Sequence, residues 1–408
     1  MDILYVSKLC SKKKFEEIFI SCQIKPQQQA QKFHHLFVSG LAEHEDVQVT
    51  VMSDLPISRV NTKRIWWCSS SELENKTVFK HLPHLNMAVI GHIIAFFTAF
   101  FTTAKWCVTN KKSKKYIICD VLNLTISVAA KAAANLFGVN TVAIVTDIPS
   151  FMQGYTKEGE KGFKSAFIEL YTSLCNYFLK RYNAYIILTE QMNRLVNPKG
   201  KPHIVIEGMV DVRMREVSNL LEDKYQEKVV IYAGALHEKY GVKKLIEAFM
   251  NVSLKDARLW LFGSGELESE IREYEKKDSR IKFWGMVPNK EVVEKEVKAT
   301  LLVNPRPSNE EFTKYSFPSK NMEYMVSGTP ILTTQLPGMP EEYYDFIFTF
   351  NGESVDDMAI GLEKVLTMPR DELHWFGDRA KKFVLENKNN VVQARKLYDF
   401  ISTYVCKY

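Results

Sequence analysis

What the 408-residue sequence lacks narrows its possibilities first. Its seven cysteines, at 10, 22, 68, 107, 119, 175 and 406, include no CxxC pair, and its nine histidines form no cluster at metal-ligand spacing. That argues against a structural zinc site and for unpaired thiols in a reducing compartment. No low-complexity tract, short internal repeat or recognised nucleic-acid-binding motif accompanies the net charge of +6, so nucleic acid is not an expected partner. The opening MDILYVSKLCSKKK does not read as a signal peptide, because its apolar stretch is short and an acid stands at position 2. One segment approaches the length of a membrane span: MAVIGHIIAFFTAFFTTA, Met87 to Ala104, with one His and no formal charge. It reads as a buried or membrane-facing helix, an interfacial segment, or a true span. A span would put the strand-like YIICD across a bilayer from MDILYV, its expected sheet neighbour, so the first reading is preferred.

Charge is unevenly spread. Residues 1–210 hold 25 Lys and Arg against 16 Asp and Glu, a balance of +9, whereas the rest holds 29 against 32, a balance of −3. A basic first half that also carries an uncharged aromatic helix suits docking on an anionic leaflet. At this length two domains are expected, over 1–210 and 211–390, with a closing helix at 391–408 packing back on the first.

Strand-like runs alternate with helical patterns almost throughout, which argues for an α/β protein with parallel sheets covered on both faces. The strand candidates are ILYVS, VQVTVMS, YIICD, TVAIVTD and AYIILTE, then VVIYAG, RLWLFG, IKFWG, TLLVNP and PILTT. Helices are expected at 126–137 and 163–182, then at 242–251, 266–277, 289–299 and 318–327. IVIEGMVD, followed by a polar helix and linker from Arg213 to Lys228, marks the boundary. Two Rossmann-like domains facing across a cleft are the simplest architecture, with chemistry in the loops that leave the strands.

Four such loops stand out in the second half: AGALHEKYG (233–241), GSGE (263–266), GMVPNK (285–290) and NPRPSNEEFTKYSFPSK (304–320). The last runs into a helix opened by Pro318, Ser319 and Lys320 and stopped at Gly328. Lysine at a helix N-terminus opposes the dipole unless an anion sits there. Arg306, Lys314 and Lys320 converge on one loop, so a pyrophosphate is the natural occupant. Glu323, one turn after Lys320, could accept hydrogen bonds from two adjacent hydroxyls, as on a ribose. In the first half Asp147 ends TVAIVTD and Asp120 ends YIICD. Either could orient an acceptor hydroxyl or merely cap a turn, and His34 and His35 read as core or surface residues.

In order and spacing, YAGALHEKYGVKKLIEAF, LWLFGSGE, FWGMVPNKEV and SFPSKNMEYMVSGTPIL resemble the second domain of retaining glycosyltransferases of family 4. NPRP…EEFTKYSFPSKNMEYMVSGTPILTT…LPGMPEEYY is similar to the branch that builds bacterial capsular polysaccharides and exopolysaccharides. The resemblance is strong over about 225–385 and diffuse over 1–210, where strand order, KPQQQAQKFHHL and VTDIPSF carry it. It implies a GT-B fold, a UDP-linked donor sugar held by the second domain, and a saccharide or lipid-linked saccharide acceptor held by the first. No cofactor or metal is expected. On the resemblance Glu323 matches the ribose-binding glutamate, Lys320 and Ser319 face the diphosphate, and Val287 falls where a backbone group contacts the base. Gly234 and Gly263 belong to the donor loops. Two positions depart from the family: Tyr315 stands where a second glutamate is common, and Ala235 where an arginine is, with Lys239 displaced by Tyr240.

The expected catalytic set is Asp147, Arg306 and Lys320, with Arg306 and Lys320 replacing the missing positive charge. The expected location is the cytoplasm, with the inner face of the cell membrane as a docking surface. A nucleotide-sugar epimerase, a sugar phosphorylase and a non-catalytic nucleotide-sugar-binding subunit remain open as alternatives.

Overall fold

The computed structural model describes residues 1–26, 28–109, 113–148 and 172–405. The chain divides into two units, Met1–Met209 with Asn390–Tyr408, and Val210–Asn389.

In the first unit the apolar, β-branched runs become β1 (Asp2–Ser7), β2 (Gln48–Ser53), β3 (Trp66–Trp67), β4 (Ser70–Glu74), β5 (Thr77–His81), β6 (His84–Leu85), β7 (Lys115–Asp120), β8 (Asn140–Val145), β9 (Ala184–Ile187) and β10 (His203–Val205). Eight of them form one sheet, ordered β10-β9-β8-β7-β1-β2-β5-β4 among the described residues. β1 lies at its centre and pairs in parallel with β2 and β7, so Ile3, Leu4, Tyr5 and Val6 are inaccessible to solvent. The sheet is parallel except at β4, which folds back antiparallel on β5. β3 and β6 make a separate antiparallel ribbon.

The apolar run near Met87 forms one helix, Ala88–Val108. Its Gly91 lies against the Leu85 carbonyl, and Ala95, Ala99 and Thr103 are buried as it packs along the helix Leu124–Leu136. By length and composition Val89–Val108 could cross a membrane. The last helix, Asn390–Tyr404, packs on Gln28–Ala42 of the first unit. Ala394, Leu397, Phe400 and Ile401 are buried there in one core with Phe37, Val38 and Leu41.

The second unit builds a six-stranded parallel sheet from β11 (Lys228–Ala233), β12 (Ala257–Phe262), β13 (Ile281–Gly285), β14 (Leu301–Asn304), β15 (Ile331–Thr333) and β16 (Phe348–Thr349). Their order is β13-β12-β11-β14-β15-β16. Amphipathic helices cover it, among them Val242–Met250, whose Val242, Leu245, Ile246 and Phe249 fill the core beneath β11 and β12.

Several expectations change. The polar helix expected from Arg213 is instead two 3-10 turns, Val212–Glu216 and Leu221–Asp223. The segment finds better partners elsewhere: Asn219 Nδ2 donates to the Ser327 carbonyl at 2.7 Å and Lys224 Nζ to Thr329 Oγ1 at 2.8 Å. β3, β4, β5, β6, β10 and β16 were not foreseen. β3, β6, β10 and β16 are two or three residues long, and β4 puts Glu72 and Glu74 on its half-buried side and Leu73 in solvent, against the usual alternation. Residues 163–171 of the helix expected at 163–182, Pro149 to Phe151 of VTDIPSF, Gln27, and Lys111 and Lys112 of KKSKK lie outside the described residues.

Candidate functional site

Every strand of a parallel sheet ends on the same edge. In the second unit the strand order reverses between β11 and β14, so the loops leaving these two strands diverge and open a crevice. They are the two basic loops, 233–241 and 304–318. The crevice is narrow because glycine lets the loops approach. Gly241 holds φ +77°, which a side chain rarely adopts, and a Cβ there would collide with the Pro305 carbonyl of the other loop.

The helix Ser319–Ser327 begins at this edge. Pro318 is its N-cap residue, and Gly328, at φ +80°, ends it in the left-handed conformation. Lys320 is in its first turn, and its ammonium donates to the Ala233 carbonyl at the end of β11. Gly234 lies directly beneath: a Cβ there would meet the Lys320 Nζ and Cε. Tyr324, one turn later and buried, clamps the same strand end. Its hydroxyl accepts the Ala233 N–H at 2.9 Å and lies 3.3 Å from the Ala233 carbonyl, and burial holds that hydroxyl's pKa well up. Tyr232 donates to the Ala235 carbonyl at 2.9 Å. One helical turn thus fixes one positive charge against the end of the central strand.

In the 304–318 loop that leads into this helix, the Arg306 guanidinium lies 4.6 Å from the Phe312 ring and 5.9 Å from the Tyr240 ring, and donates to Ser316 Oγ at 3.0 Å. Both cations reach the crevice from the β14 side: Lys320 from the site helix onto the β11 strand end, and Arg306 from the 304–318 loop toward Tyr240 of the β11 loop. Beneath them a buried pair, Asn304 Nδ2 donating to Asn321 Oδ1 at 2.7 Å, ties β14 to the site helix. Near its start the 304–318 loop is held by the Ser308 N–H, which donates to Glu353 at 3.1 Å.

The remaining expected residues fall as follows. Glu323 sits half-buried on the site helix, one turn beyond Lys320, and Ser319 is exposed at its start. Tyr315 is half-buried and closes the 3-10 turn Glu311–Lys314. Lys239 is exposed, its amine 5.2 Å from the Tyr240 ring. Gly263 donates its N–H to the Gly285 carbonyl at 2.9 Å and lies against the Gly234 carbonyl, so the GSGE and AGALHEKYG turns are knit together. Val287 packs on the unit's second core beyond β13, farther along the same edge. Tyr324, Tyr240, Asn304 and Asn321 were not singled out from sequence. A lone buried Asn at a strand end and a Tyr at i+4 from the lysine were the available signals.

Asp147 belongs to the first unit. It is exposed at the end of β8, and its Oδ1 accepts the Ile148 N–H at 2.8 Å. The strand-order reversal of that unit, between β1 and β7, holds Asp120 instead. Asp120 lies 3.3 Å from His34 Nε2 and accepts the Leu122 N–H at 3.1 Å, while His34 Nδ1 lies 2.6 Å from the Tyr5 hydroxyl. Burial, with Asp120 nearby, pushes the Tyr5 pKa well up, so Tyr5, His34 and Asp120 form one buried polar chain.

A six-stranded sheet with cations gathered at its central crevice suits a ligand carrying a diphosphate. Residues 227–368 match the family model described as glycosyl transferases group 1. That match lies within the second unit. No curated protein sequence matches the chain. Among solved structures, sucrose-phosphate synthase from Thermosynechococcus elongatus is 13% identical over 100% of both chains, with a TM-score of 0.66. Anabaena HepE in complex with UDP is 12% identical over 99% of this chain and 100% of its own, at 0.62. The lipopolysaccharide outer core galactosyltransferase WaaB is 14% identical over 99% of each chain, at 0.59. At such identities the likeness establishes the fold, that of GT-B glycosyltransferases. Lys320, Glu323, Gly234 and Arg306 lie inside the matched residues, in the loops after β11 and β14 and in the helix Ser319–Ser327.

Proposed function

We propose that the protein is a retaining glycosyltransferase that moves a sugar from a UDP-linked donor to a saccharide acceptor carried on a lipid, in assembly of a capsule or exopolysaccharide. The observation that supports this best is the Lys320 ammonium at the β11 strand end, with Arg306 against the facing loop. Two cations and the N-terminus of a nine-residue helix converge where a diphosphate would develop charge as it leaves. Glu323 then accepts the ribose hydroxyls, and Ser319 and Gly234 line the diphosphate. Val287 and Gly263 border the nucleoside, with Lys239 and Tyr315 at the rim. Donor complexes of similar folds, such as HepE with UDP-glucose, favour a UDP sugar.

In this reading the bond from the sugar's anomeric carbon to the diphosphate breaks while the acceptor oxygen bonds to the same carbon on the same face. The acceptor proton passes to the departing diphosphate, whose charge Lys320 and Arg306 neutralise without a metal. The first unit holds the acceptor, and Asp147 orients its hydroxyl. Tyr315, standing where an acid is common, favours a second reading, a nucleotide-sugar-binding subunit without turnover.

The test is a thermal-shift panel of nucleoside diphosphates and nucleotide sugars, followed by donor hydrolysis. UDP and one UDP sugar should raise the melting temperature, and slow release of free sugar should follow. Lys320→Ala should lower turnover by about 10²–10³, and Glu323→Ala should weaken UDP binding by about ten- to a hundredfold. No shift with any nucleotide would remove the reading. A shift without sugar release would leave the binding subunit.

A further inference from the structure

The helix Ala88–Val108 buries one face and leaves the other bare. Ala95, Ala99 and Trp106 face inward, whereas Val89 (71% exposed), Ile93, Phe97 and Phe101 (65% exposed) recur every fourth residue on the outer face. An apolar stripe of this size marks a surface that something covers. A second bare patch adjoins its N-terminal end. Leu85 pairs with Trp66, and the Asn86 N–H donates to the Ile65 carbonyl at 2.8 Å. Ile65 and Trp66 are exposed, as is Val60 in the same loop. Ile24 is exposed too, and its carbonyl accepts Asn61 Nδ2 at 3.0 Å.

Charge is graded in one direction across these segments. Residues 20–25, 58–66 and 85–108 carry Lys25, Arg59, Lys63, Arg64 and Lys105 and no acid. All five are exposed. Arg59 is anchored by donating Nε to the Asn86 carbonyl at 2.9 Å, and Arg64 stacks 3.9 Å from the Trp67 ring. The neighbouring acid Glu17 is already paired, with Lys14 at 2.8 Å and Arg64 at 3.5 Å.

We propose that this face of the first unit docks on an anionic lipid bilayer. The helix Ala88–Val108 lies along the interface, with Phe97 and Phe101 at the acyl boundary and Lys25, Arg59, Lys63 and Lys105 on lipid phosphates. A second copy of the chain is the weaker occupant, because it would bring the same five cations against these five. A span is excluded by packing, since the opposite face of the helix is buried against Leu124–Leu136. The inference does not rest on the donor chemistry of the second unit, and its test does not read activity.

The experiment is co-sedimentation of the full chain with vesicles of phosphatidylcholine alone or mixed with phosphatidylglycerol, at low and high salt. The wild type should sediment with the anionic vesicles at low salt and be released by high salt. Arg59→Gln with Lys63→Gln should weaken partitioning about thirtyfold, which is about 2 kcal/mol at 1.4 kcal/mol per tenfold. Phe97→Glu with Phe101→Glu should abolish it, while far-UV circular dichroism and the UDP-induced thermal shift stay as in the wild type. Wild-type protein left in the supernatant with anionic vesicles at low salt would overturn the proposal. So would variants that partition like the wild type, or a wild-type dimer that Phe97→Glu with Phe101→Glu dissolves.

Discussion

At the scale of single residues, the site depends on two glycines that fail in different ways. A methyl group at Gly234 meets the tip of a flexible lysine, which can swing aside. At Gly241 it meets the Pro305 backbone, and φ +77° adds strain, a combination costing about 1–3 kcal/mol. Gly234→Ala should therefore keep the melting temperature near that of the wild type while weakening UDP binding, because Lys320 leaves the Ala233 carbonyl. Gly241→Ala should lower the melting temperature by several degrees. Calorimetry with a UDP titration separates the two, and equal losses of stability would contradict the assignment.

Among elements, the site helix is held from behind as well as in front. Asn219 takes the Ser327 carbonyl, one of the acceptors a helix C-terminus leaves unpaired, and Lys224 reaches Thr329 just beyond Gly328. Burial pulls the Lys224 pKa down from 10.5 to about 7, although Asp378 draws it the other way. Between those values the unfolded chain holds a proton that the folded chain has lost, so stability rises with pH across about pH 7 to 10.5. The penalty is fully present below pH 7. Lys224→Met should gain most relative to the wild type at pH 7 and below, and that gain should shrink by pH 9.5. Thermal melts at both pH values read this, and a difference unchanged with pH would refute it.

For the whole molecule, the first unit is completed by the end of the chain. Leu397 is inaccessible and packs with Phe37 and Leu41, residues more than 350 positions earlier. Leu397→Ala should cost about 2–5 kcal/mol. The loss should appear in the first unit's unfolding, while the UDP-induced shift, which reports the second unit, is retained. Limited proteolysis with and without UDP would show which unit opens first. Loss of UDP protection in this variant would mean that the two units do not unfold separately.

The strand runs ILYVS, YIICD, VVIYAG and PILTT were legible because central parallel strands are continuous apolar stretches, and β1, β7, β11 and β15 formed there. The lysine at a helix start and the glycine that ends that helix were legible for a similar reason: local geometry restricts which residues suit those positions. The short strands β3, β6, β10 and β16 carry too few residues for a period to show. The segment after Arg213 has helix-forming residues, yet its Asn and Lys bond to a helix end more than a hundred residues away. By itself the sequence determined two α/β halves, the order of their longer parallel strands apart from β5, and a cationic loop entering a helix. The tertiary structure decided which strands lie side by side, and that pairing brings the loops after β11 and β14 together. It also decided that Lys320 points to Ala233 and that Arg306 lies against Phe312 and Tyr240. The reason is physical: propensity and periodicity act over a few residues, whereas a crevice is made by strands about seventy residues apart that become neighbours only when the sheet forms.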